Sequence, residues 1–92
     1  MRPEAQDNPA RSRYELTIDG QVAYASYERA DGALVFTHTI VPESLEGRGV
    51  GSRLIEAALD DARAQGLRVV PRCSFVAAFV ERHPRYADLV ER

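Results

Sequence analysis

The sequence predicts a mixed α+β (α/β) domain: an antiparallel three-strand meander, a β-α-β crossover and a C-terminal helix, in the order β-β-β-α-β-α. Three observations predict it. Apolar residues alternate at period two through the first half and switch to helical spacing after residue 49. Two Asp-Gly pairs, Asp19-Gly20 and Asp31-Gly32, punctuate the alternating stretches as hairpin turns. The glycine-rich run Glu46-Gly47-Arg48-Gly49-Val50-Gly51-Ser52 stands where the period changes.

The elements follow in order. Residues 1–12 combine Pro3, Asn8 and Pro9 with mixed charges and no apolar period, which reads as a flexible N-terminal tail; 13–92 is then the single folded domain. Tyr14, Leu16 and Ile18 alternate with polar residues as a first strand, and Gln21 to Glu28 is a second. The third, Ala33 to Val41, places Leu34, Phe36, His38 and Ile40 on one face. Beyond the glycines, Val50, Leu54, Ile55, Ala58, Leu59 and Ala62 form the buried stripe of an amphipathic helix, and Gly66 suits its C-terminal cap. Leu67, Val69 and Val70 read as a short buried strand running to Cys73. Ser74 suits the N-cap of a second helix, where Phe75, Val76, Phe79, Val80 and His83 share a face and which Pro84 ends. Tyr86, Leu89 and Val90 suggest a last helical turn against the core.

Composition narrows the function. Ninety-two residues support one small core, and 45% hydrophobic with 28% charged residues is ordinary for a globular chain. A net charge of −2 and a pI near 5.6 argue against a general nucleic-acid binder. No apolar run approaches the ~20 residues of a membrane span. The N-terminus has no apolar signal core, and Glu4 and Asp7 count against a transit peptide. The single cysteine has no intrachain partner, in keeping with a reducing, cytoplasmic location. The expected state is a monomer or weak homodimer.

The glycine run carries the chemistry. Glycines let the backbone turn tightly and approach a ligand. The first amides of the following helix lack intrahelical acceptors, and its dipole adds positive character, so a phosphate fits there; a plain connecting turn is the alternative. The crossover makes the third and fourth strands parallel, with the glycines after the end of one and Cys73 at the end of the other. Ligands of open sheets bind beyond such ends. A Walker loop is excluded because no lysine follows the glycines, and a dinucleotide fingerprint because its third glycine is Ser52. A cysteine-phosphatase loop fails because Phe79 stands where its arginine belongs.

What remains resembles the GCN5-related N-acetyltransferases, whose Gln/Arg-x-x-Gly-x-Gly/Ala signature binds the pyrophosphate of acetyl-coenzyme A. Gly49 and Gly51 fill its glycine positions, while Glu46 replaces the usual Gln or Arg. The chain is similar to the short single-domain members of the YjdJ type through Thr37-His38-Thr39, Val41-Pro42, Val69-Val70-Pro71-Arg72-Cys73, Phe75-Val76-Ala77-Ala78 and His83-Pro84-Arg85-Tyr86. The match spans about 13–90. It implies acetyl-coenzyme A as cosubstrate, no metal, and an acetyl group passed to a small amine or an exposed protein amine. It also implies coenzyme contacts from Ile40, Val41, Glu46, Gly47, Arg48, Gly49, Val50, Gly51, Ser52 and Phe79, with the pantetheine arm pairing along the third strand. Relatives of this type often carry a glutamate at the place of Ile40.

Three side chains are candidates for the chemistry, which needs a free amine, a polarised thioester and a proton for the departing thiolate. Cys73 precedes a helix start that favours a thiolate, and it either acts near the thioester, even carrying the acetyl group, or is a small buried hydrophobe. His38 is either a base or a satisfied residue of an apolar face. Tyr86 is either the acid for the leaving thiolate or an aromatic anchor. The competing function is a protein that binds coenzyme A or acyl-coenzyme A without turnover.

Overall fold

The computed structural model describes residues 4–90. Five strands form one sheet in the order β1-β2-β3-β4-β5: β1 (Gln6–Asn8), β2 (Arg13–Ile18), β3 (Gln21–Ala30), β4 (Ala33–Ile40) and β5 (Arg68–Pro71). Neighbours from β1 to β4 are antiparallel, and β4 pairs with β5 in parallel. Helix α1 (Val50–Ala64) makes the crossover, and α2 (Ser74–Arg82) follows β5. Short 3₁₀ segments occur at Pro9–Arg11, Glu43–Leu45 and Pro84–Leu89. The expected order is therefore present, with one strand added at its start.

That strand corrects the reading of the N-terminal tail over its described part; residues 1–3 lie outside the described residues. Gln6, Asp7 and Asn8 pair with Glu15, Tyr14 and Arg13. Side chains add two ties: Tyr27 Oη donates to Asp7 Oδ1 at 2.6 Å, and Asn8 Nδ2 donates to Glu15 Oε2 at 3.3 Å. A three-residue edge strand buries little, so it needs no apolar alternation and left no periodic signal. The hairpins behave as their sequences dictate, with Asp19 and Gly20 both at positive φ (52° and 76°), as a type I′ turn requires.

The core lies on one face of the sheet. Tyr14, Leu16, Ala23, Ala25, Tyr27, Leu34 and Phe36 meet Leu54, Ile55, Ala58, Leu59 and Ala62 of α1, with Val69, Val76, Phe79 and Tyr86 closing the same cluster. On the opposite face Glu15, Tyr24, Ser26 and Val35 are not buried. Helix α1 ends as expected, with Gly66 left-handed at φ 71° just past its last turn. Helix α2 starts one residue earlier than expected: Cys73, in extended conformation, is the N-cap, and Ser74 is already helical. No described helix is long and apolar enough to cross a membrane.

Three buried tyrosines share one device. Each turns its hydroxyl to an aspartate at the rim of the core: Tyr14 to Asp61 at 2.6 Å, Tyr27 to Asp7 at 2.6 Å and Tyr86 to Asp60 at 2.7 Å. The phenol keeps a partner while its ring is buried, and the carboxylate needs no cation. Burial, reinforced by the neighbouring carboxylate, pushes Tyr27 and Tyr86 up to about 12 and raises Tyr14 as well. In the unfolded chain these phenols ionise near 10. The fold binds their protons more tightly, so this stability is complete below about pH 10 and is lost as pH rises towards about 12. The sequence contains no lysine, so that range belongs largely to the tyrosines. Melting temperature is expected to fall across this window together with a rise in phenolate absorbance. Tyr86→Phe is expected to lower stability at neutral pH by about 1 kcal/mol and to flatten the alkaline loss.

Candidate functional site

One extra residue in β4 shapes the site. Tyr27 stands opposite Phe36, but Ser26 stands opposite His38, so Thr37 is a bulge. Directly opposed residues share a face. Thr39, opposite the buried Ala25, therefore turns to the inner face, and His38 and Ile40, opposite Ser26 and Tyr24, turn to the outer one. The expectation that His38 and Ile40 continue the face of Leu34 and Phe36 is corrected by this reversal. The parallel ladder with β5 also stops at Phe36 and Pro71, just before the bulge. Beyond it, Thr39, Ile40 and Val41 border an open groove of about 490 Å³ in place of a strand.

The glycine run and the first turn of α1 form the opposite wall, through Leu45, Glu46, Gly47, Gly49, Val50, Gly51 and Ser52, and Phe75 of α2 completes it. The first intrahelical bond is donated by Arg53 to Gly49 O at 3.1 Å, so the amides before it have no helical acceptor. No side chain caps them, and no acidic residue stands in the first turn. The first turn supplies no carboxylate to these amides, and the groove opens onto it.

The three glycines serve different needs. Gly47 and Gly49 sit at φ 78° and 72°, and a Cβ on either would meet nothing within 4 Å, so their conformation demands glycine and their surroundings do not. Gly51 is the reverse: it has no positive φ, but a Cβ there would lie 2.7 Å from Phe75 Cζ.

Cys73 lies beside the groove without lining it. Its amide donates to Phe36 O at 2.9 Å, and its buried thiol meets Thr39 Oγ1 at 3.4 Å. Thr39 thus touches both the groove and the sulfur. Of the residues expected to contact the coenzyme, Ile40, Val41, Glu46, Gly47, Gly49, Val50, Gly51 and Ser52 line the groove. Four further expected residues do not. Arg48 reaches Asp19 in an exposed pair at 3.4 Å, a contact worth at most about 1 kcal/mol. Phe79 is buried, stacked on His83 with ring centres 4.0 Å apart. His38 is exposed on the outer face, and Tyr86 is buried against α1 with its phenol on Asp60. A phenol held that firmly in its protonated form is poorly suited to releasing a proton there. Sequence reasoning missed Thr39, which the bulge hid. Phe75, expected on the apolar face of the second helix, borders the groove as well.

The chain is similar to known proteins over most of its length. The family model for GCN5-related N-acetyl-transferases matches residues 13–89. Protein NATD1 of Bos taurus is 38% identical over 77 residues, covering 80% of this chain and 68% of its own length. A GCN5-like protein from Staphylococcus aureus, solved in solution by NMR, superposes with a TM-score of 0.74 at 26% identity, over 96% of this chain and 87% of that one.

The unequal demands on the glycines are measurable. Gly49→Ala is expected to lower stability in urea denaturation by about 1–2 kcal/mol, the cost of a left-handed conformation for a residue with a Cβ. Gly49→Asn is expected to cost less, because asparagine visits that region more readily.

Proposed function

Because this chain belongs to the GCN5-related N-acetyltransferase family, we propose that it is an acetyl-coenzyme A-dependent N-acetyltransferase acting on a small amine or an exposed protein amine. The observation that carries the reading is the uncapped start of α1 opening onto a groove whose other wall is the end of β4, paired there with β3 but no longer with β5. In this reading the amides of Val50, Gly51 and Ser52 hold the pyrophosphate, and the edge from Thr39 to Val41 receives the pantetheine arm. Bound acetyl-coenzyme A supplies an activated thioester. A backbone amide near Ile40 and Val41 polarises its carbonyl as charge develops on oxygen. Thr39 and Cys73 stand together next to that end of the groove and are the side chains available to steer a proton or the acyl group. Direct transfer to the amine and transfer through an acetyl-cysteine both fit this placement, and Cys73→Ala separates them from a structural role. Loss of turnover with coenzyme A binding intact supports a role for the thiol; an unchanged rate removes it.

A second reading, binding of coenzyme A or an acyl form without turnover, is favoured by two observations. The acidic residue Glu46 lines the groove, and neither His38 nor Tyr86 does. Coenzyme A is expected to raise the melting temperature under either reading. Release of thiol from acetyl-coenzyme A across an amine panel then decides between them. Glu46→Gln is expected to tighten coenzyme A binding about fivefold, since one charge near a phosphate is worth about 1 kcal/mol in water, and added salt is expected to shrink the difference.

A further inference from the structure

We infer that Phe75 positions the coenzyme groove by bearing on Gly51, and that the last glycine of the loop is there to seat this ring and not to admit a phosphate. The inference rests on the reading of the groove as the coenzyme site. Gly51 lies inside α1 without a positive φ, where alanine is the better helix former. Its backbone therefore does not require glycine. Its surroundings do: a Cβ would lie 2.7 Å from Phe75 Cζ and 3.3 and 3.4 Å from Cε2 and Cε1. The three nearest atoms all belong to the outer half of one ring. The motif that the loop resembles accepts alanine at this place, and the ring accounts for its exclusion here.

Phe75 belongs to the first turn of α2, is 36% exposed, and lines the groove itself. It is thus a spacer between the starts of two helices that begin at the same edge of the sheet. A methyl group at position 51 displaces the ring, and the open space beside it is the groove. Gly51→Ala then weakens the ligand through Phe75 and not by touching the ligand.

A double-mutant cycle tests this, using Gly51→Ala, Phe75→Leu and their combination, because leucine lacks the ring atoms that crowd position 51. Calorimetric titration with coenzyme A is expected to show Gly51→Ala weakened about tenfold, and the double variant restored to within about threefold of Phe75→Leu alone. A double variant as weak as Gly51→Ala overturns the inference, because the methyl group then obstructs the ligand directly. Melting of the unliganded proteins is the second readout. Gly51→Ala is expected to raise the melting temperature by a few degrees in the Phe75→Leu background, where helix propensity acts unopposed, and not in the Phe75 background. Equal shifts in both backgrounds overturn it. If the unaltered protein shows no binding of coenzyme A, the coenzyme reading fails, and the melting cycle still decides the contact between ring and glycine.

Discussion

The parallel pairing of β4 with β5 is the constraint on which the rest of the molecule depends. Two parallel neighbours cannot be joined by a hairpin, so the chain must cross over, and here α1 makes that crossing. The consequence is positional. The C-terminal end of β4 and the N-terminal ends of α1 and α2 all fall at one edge. The pairing is short, ending at Phe36 and Pro71, and Cys73 continues it with one more hydrogen bond to Phe36. That bond holds the start of α2 against β4 at the point where the strands part.

The bulge at Thr37 turns this edge into a site. Without the extra residue, Thr39 faces outward and His38 inward, and the thiol of Cys73 loses its hydroxyl neighbour. With it, β4 ends its partnership with β5 and offers a free stretch to the groove. The loop opposite is held in shape by two left-handed glycines, while the third glycine answers to a neighbouring ring. A run that reads as one motif therefore contains two separate physical requirements.

The rest of the domain holds this edge in place with a small core. A 92-residue chain has little apolar surface to spare, and large tyrosine rings supply part of it. Their hydroxyls reach Asp7, Asp60 and Asp61, which tie β1 to β3, the C-terminal segment to α1, and β2 to α1. The same arrangement takes Tyr86 out of the groove, since its phenol is committed to the middle of α1.

By itself the sequence determined the order of elements from β2 onward, the hairpins, the buried stripe of α1, and the glycine run as the start of that helix. These are local matters, set by periodicity and by residues with unusual backbone freedom, and both are written in consecutive positions. Eight of the ten residues expected to touch the coenzyme line the groove for the same reason, because they are contiguous with that helix start or with the end of β4. Tertiary structure decided what depends on pairing. The edge strand β1 exists through hydrogen bonds to β2 and carries no apolar pattern. The faces of His38, Thr39 and Ile40 depend on a bulge, which exists only as a mismatch between β4 and β3. The reason for Gly51 lies in Phe75, twenty-four positions away, and the fold alone brings ring and glycine together.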